Sequence, residues 1–239
     1  GTDKHSKIEK YKVIAGSNTV MDEVKLCGSI GTAISSAVKA KEKQSFEGKK
    51  LKFEISAPAF YQVNTGQMKK LYEKAADYAN LTGEELLFDL YCGIGTIGLS
   101  LADKAKFVIG IENVKGAVLD ANRNATINGI VNAIYYTGKA EEKLEIALEK
   151  LKEDSHEEIR NAPRIAIVDP PRAGCDENLL MLLVESKPER IVYISCDTGT
   201  LARDIKYLTE NGYEFVEATP VDMFPNTMGI ESVTLLSKV

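Results

Sequence analysis

Cys196 has the setting of a nucleophile. It follows the apolar run Arg190-Ile-Val-Tyr-Ile-Ser195 and directly precedes a stretch for which Asp197 or Thr198 is a suitable helix cap. N–H groups at a helix start stabilise a thiolate and lower the thiol pKa. Cysteine is also among the most buried residue types, so position alone leaves a packing role open. Cys92 lies inside a glycine turn, and Cys92, Cys27 and Cys175 read as three structural thiols. A second reactive stretch is Asp169-Pro-Pro-Arg172, after the apolar Ile165-Ala-Ile-Val168. Two prolines freeze that loop and hold its acid and carbonyls in fixed directions, for a ligand or merely for a rigid turn.

The third stretch runs from Leu86 to Ser100, Leu-Leu-Phe-Asp-Leu-Tyr-Cys-Gly-Ile-Gly-Thr-Ile-Gly-Leu-Ser, and reads as strand, tight loop and helix. Gly93, Gly95 and Gly98 almost satisfy a dinucleotide fingerprint, a weak pattern alone. Glycines let backbone approach a ligand without a Cβ in the way, and the helix that follows presents free N–H groups, so a nucleotide-like cofactor is expected. The next strand, Lys106-Phe-Val-Ile-Gly-Ile-Glu112, ends in an acid about twenty residues past the first glycine, from where a carboxylate can hold both ribose hydroxyls.

These stretches need a scaffold that brings them together. Beyond Leu86 the chain alternates strands near 86–90, 106–111, 133–137, 164–169 and 189–195 with helices near 96–104, 114–128, 139–154, 176–186 and 198–210. That alternation implies an α/β, Rossmann-like fold with a mostly parallel sheet covered on both faces. Tyr213–Val221 and Glu231–Val239 are β-rich with no helix between them, so one of the two joins antiparallel. In such sheets ligands lie outside the carboxyl ends of the strands. The residues there are Asp89–Gly95, Glu112, Asp169–Arg172, Ser195–Cys196 and the final turn from Asp222 to Glu231. Ahead of the sheet, Asn64 and Gln67 resemble a capping box opening a helix, with an apolar stripe of Met68, Leu71, Tyr72, Ala75, Ala76 and Ala79 and a stop at Asn80–Gly83. From Lys4 to about Ile55 the pattern is short and β-like, including Tyr11-Lys-Val-Ile14 and Leu51-Lys-Phe-Glu-Ile55.

Composition bounds the setting. At 44% apolar and 27% charged the chain is ordinary for a globular protein, and no apolar run is long enough to span a bilayer. With no secretory leader visible, an intracellular, cytoplasmic protein with no membrane partner is expected. The four cysteines show no paired metal-ligand spacing, so no metal is expected. Residues 1–60 carry a balance of +4 and the remainder −9, with Lys39, Lys41, Lys43, Lys49, Lys50 and Lys52 clustered in the leading segment. Such an acidic body makes a weak stand-alone nucleic-acid binder.

Taken together, Phe60-Tyr-Gln-Val-Asn64, Asp89-Leu-Tyr-Cys-Gly-Ile-Gly95, Gly110-Ile-Glu112, Asp169-Pro-Pro-Arg172, Ser195-Cys-Asp-Thr-Gly-Thr-Leu-Ala-Arg-Asp204 and Asp222-Met-Phe-Pro225 with Glu231 resemble the S-adenosylmethionine-dependent RNA uracil-5-methyltransferases. The resemblance runs from about residue 50 to the C-terminus. It implies a class I methyltransferase fold with a seven-stranded sheet over 61–239, preceded by a β-rich remnant of a central, RNA-contacting domain over 1–60. It implies S-adenosylmethionine bound by Gln62, Tyr91, Gly93, Glu112 and Asp169, with S-adenosylhomocysteine as product, Cys196 as nucleophile and Glu231 as base. The partner it implies is RNA, transfer RNA rather than ribosomal RNA for want of an iron–sulfur cysteine cluster, met by a monomer. Two positions depart from the family pattern: Asp197-Thr198 replaces the frequent Asn-Pro, and Met228-Gly229 replaces the frequent Pro-His before the base. Arg172 stands where amine-directed methyltransferases carry a stacking aromatic, which counts against amine chemistry. The competing readings are a cytosine-C5 methyltransferase, an RNA-binding or remodelling module with secondary or lost methyl transfer, and a nicotinamide oxidoreductase, in which Asp-Pro-Pro and Ser-Cys would have no role.

Overall fold

A computed structural model describes residues 19–25, 50–56, 62, 64–153, 157–227 and 229–239. The segments Tyr11–Ile14, Cys27, Lys39–Lys49, Phe60, Tyr61 and Met228 discussed above lie outside the described residues. Two strands, β1 (Thr19–Lys25) and β2 (Lys50–Ser56), pair antiparallel, so the alternating Leu51–Ile55 run is a strand as expected. Helix α1 (Thr65–Ala79) follows; Asn64 caps it by accepting from Gln67 N at 3.2 Å, and Asn80 ends it in the left-handed conformation. Its buried face is Met68, Leu71, Tyr72, Ala75, Tyr78 and Ala79. Tyr78 therefore joins the stripe, where its hydroxyl meets Thr219 Oγ1 at 2.8 Å.

The second sheet has seven strands: β3 (Leu86–Leu90), β4 (Phe107–Glu112), β5 (Ala133–Thr137), β6 (Arg164–Val168), β7 (Arg190–Ser195), β8 (Tyr213–Val221) and β9 (Glu231–Lys238). Their order is β5-β4-β3-β6-β7-β9-β8, parallel except for β9, which runs against both its neighbours. The connecting helices are α2 (Thr96–Leu101), α3 (Lys115–Ile127), α4 (Ala140–Glu153), the short α5 (Glu157–Arg160), α6 (Glu177–Ser186) and α7 (Thr198–Glu210). All five residues of β3 are buried, as a central strand covered on both faces demands. One core joins α1, α2 and α3 to one face of the sheet; the other joins α4, α6 and α7 to the opposite face. The chain turns outward in both directions from β3 and β6, and that switch point opens a crevice at the strands' carboxyl ends.

α3 closes the free edge of β2 with side chains. Lys52 N donates to Asn128 Oδ1 at 2.9 Å, Glu54 N to Asn124 Oδ1 at 2.7 Å and Ser56 N to Asp120 Oδ2 at 2.9 Å. Two strand residues advance roughly 6.6 Å and four helical residues about 6 Å, so the two rows stay in step. Among the described residues no helix is long and apolar enough to cross a membrane.

Candidate active site

The glycine loop is held from below and from one side. Asp89, 1% exposed at the end of β3, accepts from Gly98 N at 2.8 Å through Oδ2. A Cβ on Gly98 would stand 2.7 Å from that oxygen, so only glycine fits. Burial pushes the Asp89 carboxyl up to about 7, with the Gly98 amide opposing and the Glu112 charge adding. From the side, Glu112 accepts from Gly93 N at 3.1 Å and from Val114 N at 2.7 Å. A carboxylate has about four lone-pair sites, so two remain for a ligand. Tyr91 carries φ of 64°, a left-handed backbone uncommon outside glycine and typical of strained functional turns. Gly93 has φ of 54° and nothing within 4 Å of where a Cβ would sit, which leaves backbone open to a close approach. Tyr91, Glu112, Gly138, Lys139, Glu141 and Asp176 are among the residues lining a cavity of about 590 Å³ at this end of the sheet.

Cys196 and Glu231 face each other across β7 and β9. The register pairs Ser195 with Ser232, which sets the following residue, Cys196, opposite the preceding one, Glu231. Cys196 is exposed and Glu231 half-buried. Asp197 caps α7 by accepting from Thr200 N at 2.9 Å, so the substitution for Asn keeps the cap. The thiol pKa, however, is raised rather than lowered. Partial burial and the Glu231 carboxylate outweigh the Arg172 guanidinium, which reaches the thiol, and the backbone amide. Glu231 is itself pushed up by burial, with Arg172 opposing. Asp169, at the end of β6, is pushed up to about 8 by burial first and then by Glu231 and Asp89. Asp89, Asp169 and Glu231 thus form a chain of acids leading from the glycine loop to the thiol, with Arg172 as the cation beside it.

Gln62 is 8% exposed and precedes α1. Asn64 does more than cap: its Nδ2 donates to Met223 O at 3.0 Å, tying the start of α1 to the turn that leads into Glu231. Within that turn Thr227 N donates to Phe224 O at 3.0 Å and Gly229 N to Thr227 Oγ1 at 3.1 Å, bonds that shape the approach where the family often has Pro-His. The sequence signal for Asn64 was its capping position, which leaves the amide nitrogen free for a second partner. Cys92 and Cys175 are buried, and burial pushes both thiols up, Cys175 to about 12. Neither is poised to react. Among the described residues no group of three or more His, Cys, Asp or Glu could hold a metal ion.

The family model for tRNA (uracil-5-)-methyltransferases matches residues 32–239. The chain belongs to that family. It is similar to an uncharacterized RNA methyltransferase of Enterococcus faecalis, 55% identical over 188 residues, covering 79% of this chain and 39% of that protein. Another from Caldanaerobacter subterraneus is 51% identical over 191 residues, covering 80% of this chain and 40% of that protein. The chain therefore spans about two fifths of the length of these relatives. Among solved structures, the Pyrococcus abyssi tRNA (uracil-54, C5)-methyltransferase in complex with S-adenosyl-L-homocysteine superposes with a TM-score of 0.63 at 33% identity, over 78% of this chain and 42% of that one. An rRNA methylase from Streptococcus thermophilus, at 13% identity and a TM-score of 0.54 over 72% of this chain and 96% of that one, shares the fold alone. The expected Rossmann-like methyltransferase fold is thus the observed one, and the family is one of S-adenosylmethionine-dependent RNA methyltransferases.

Proposed function

We propose that this chain methylates C5 of a uridine in RNA through a covalent adduct between Cys196 and C6 of the base. The observation that carries the reading is the register across β7 and β9, which opposes a thiol to a half-buried carboxylate beside the acid-lined crevice. The crevice fits S-adenosylmethionine: its volume lies in the range of small-molecule sites, Glu112 keeps lone pairs for a ribose, and Glu112, Glu141, Asp176 and Glu177 in its lining favour a cationic ligand. Tyr91 and Glu112, which line it, would hold the cofactor together with Gln62, Gly93 and Asp169 from outside that lining, and when bound it supplies an electrophilic methyl group.

The chain's own residues prepare the base. Uracil C5 is a poor nucleophile, but addition of Cys196 Sγ at C6 forms the C–S bond and pushes the C5=C6 electrons into an enolate, so C5 becomes reactive. After C5 has taken the methyl group, Glu231 removes its proton, C5=C6 re-forms and the C–S bond breaks, returning the thiolate. Burial raises the Glu231 pKa, which makes its carboxylate the stronger base. Arg172 steadies the anionic sulfur at both ends of the cycle. A target inside folded RNA must first be extruded, so an unpaired loop uridine is the favoured substrate. Transfer RNA is the substrate class supported by the neighbouring Pyrococcus enzyme. We assign residues 61–239 to catalysis and 1–60 to RNA contact, and expect a cytoplasmic monomer.

The test uses donor labelled in its methyl group. Cys196→Ala abolishes transfer while cofactor affinity persists, and Glu231→Gln leaves methylated RNA covalently attached, since a base contributes about a hundred- to ten-thousand-fold to its step. Label retained on protein in Asp222→Asn but not in Glu231→Gln would move the base to Asp222.

A further inference from the structure

One face of α7 grips the loop that follows β6. Thr200 Oγ1 donates to Arg172 O at 3.0 Å, and Arg203 Nη2 donates to Ala173 O at 3.1 Å and Cys175 O at 3.2 Å. Cys175 N in turn donates to Asp204 Oδ2 at 2.8 Å. Residues 200, 203 and 204 share a face because three and four residues approximate one helical turn. Asp204 is 0% exposed and also accepts from Tyr193 Oη at 2.6 Å and Arg203 Nε at 2.7 Å. The grip leaves no slack: a Cβ on Gly174, whose φ is 79°, would lie 2.6 Å from Arg203 Nη2 and 2.7 Å from Asp204 Oδ2.

The gripped loop has two working sides. Arg172 reaches the Cys196 thiol, while Ala173, Gly174, Cys175 and Asp176 line the cofactor crevice. α7 itself starts immediately after Cys196, with Asp197 between. Nucleophile, cation and crevice wall are therefore fastened together by side chains of α7, of which Arg203 also lines the crevice.

We propose that Arg203 and Asp204 are positioning residues that hold the Arg172 loop against α7, so that the guanidinium stays on the Cys196 thiol and the crevice wall keeps its shape. The proposal rests on Cys196 being the nucleophile, but its test reads the thiol without RNA. The charged groups acting on that thiol are Glu231 from β9 and Arg172 from the β6 loop, with Asp197 next in the chain turned to capping α7. Losing the cation shifts the thiolate fraction, and one pKa unit is tenfold.

The rate of Cys196 alkylation by iodoacetamide, followed by peptide mass, is measured against pH for the whole chain. Arg203→Ala, which leaves the buried Asp204 carboxylate with its Tyr193 and Cys175 N–H partners, is expected to move the profile upward and slow alkylation at pH 7 about tenfold. Arg172→Met should do the same, and the double variant no more than either, because both remove one contact. Arg203→Lys, which keeps a donor but not the planar fork, should recover part of the rate. If Arg203→Ala lowers the melting temperature below the assay range, Thr200→Val removes the Arg172 carbonyl contact together with the Oγ1 bonds to Asp197, whose cap from Thr200 N it keeps, and Thr200→Ser, which keeps the hydroxyl, is its control. A profile unchanged in the Arg203→Ala or Thr200→Val variant, or additive shifts in the double variant, overturns the proposal. An absent RNA adduct alongside the expected alkylation shifts would instead refute the proposed function and leave the clamp standing.

Discussion

At Cys196 partial burial, then Glu231 against Arg172, sets how much thiolate is available. Since the carboxylate raises the thiol pKa and the guanidinium lowers it, Glu231→Gln should speed alkylation of Cys196 at pH 7, even as it stalls turnover. The acid limb of the alkylation profile should move down in pH, and a profile unmoved by the substitution would remove Glu231 from the thiol's surroundings. Cys196 stood out in the sequence by its place after an apolar strand pattern, whereas Glu231, the first residue of β9, stood out only through the family resemblance. The direction of the thiol shift was not readable, because the cap visible beside Cys196 says nothing of an acid delivered from another strand. Asn64 illustrates the same limit: its cap is local and legible, while its bond to Met223 O joins residues 159 apart in sequence.

Among the elements, α3 links the leading hairpin to the glycine loop. Asn124, fully buried, accepts from Glu54 N, and its Nδ2 donates to Glu54 O and to Ile94 O, each at 3.2 Å. Asn124→Ala leaves those three groups without their side-chain partner, and we expect a loss of about 1–3 kcal/mol in unfolding free energy together with weaker cofactor binding. Urea titration and calorimetry check both; a loss of stability with unchanged affinity would confine Asn124 to packing. The parallel strands and their helices were legible from hydrophobic runs and caps. The pairing of β2 with α3 was not, since side chains answering backbone groups 64–76 residues away leave no local period.

Across the molecule, net charge is −5 and two of its carboxyls titrate near neutrality. Asp89 at about 7 and Asp169 at about 8 keep protons that the unfolded chain releases near pH 4. The folded state therefore binds more protons through that window, and stability conferred by these groups is present at low pH and lost as pH rises from about 4 to 8. Thermal melts without cofactor should show a decline that Asp169→Asn flattens. A cationic cofactor favours the ionised acids, so its binding should release protons, seen as a heat that varies with the buffer's ionisation enthalpy. Equal heats in all buffers would mean that these acids do not sense the ligand.

The most direct measurement uses RNA carrying 5-fluorouridine at the target, incubated with the chain and S-adenosylmethionine. Fluorine cannot leave C5 as a cation, so elimination stalls after methyl transfer. Digestion and mass spectrometry should give one RNA-linked peptide, the one containing Cys196, with the donor's methyl group on the base. No adduct under conditions where unsubstituted RNA is methylated, or an adduct on Cys92 or Cys175, would contradict Cys196 as the nucleophile.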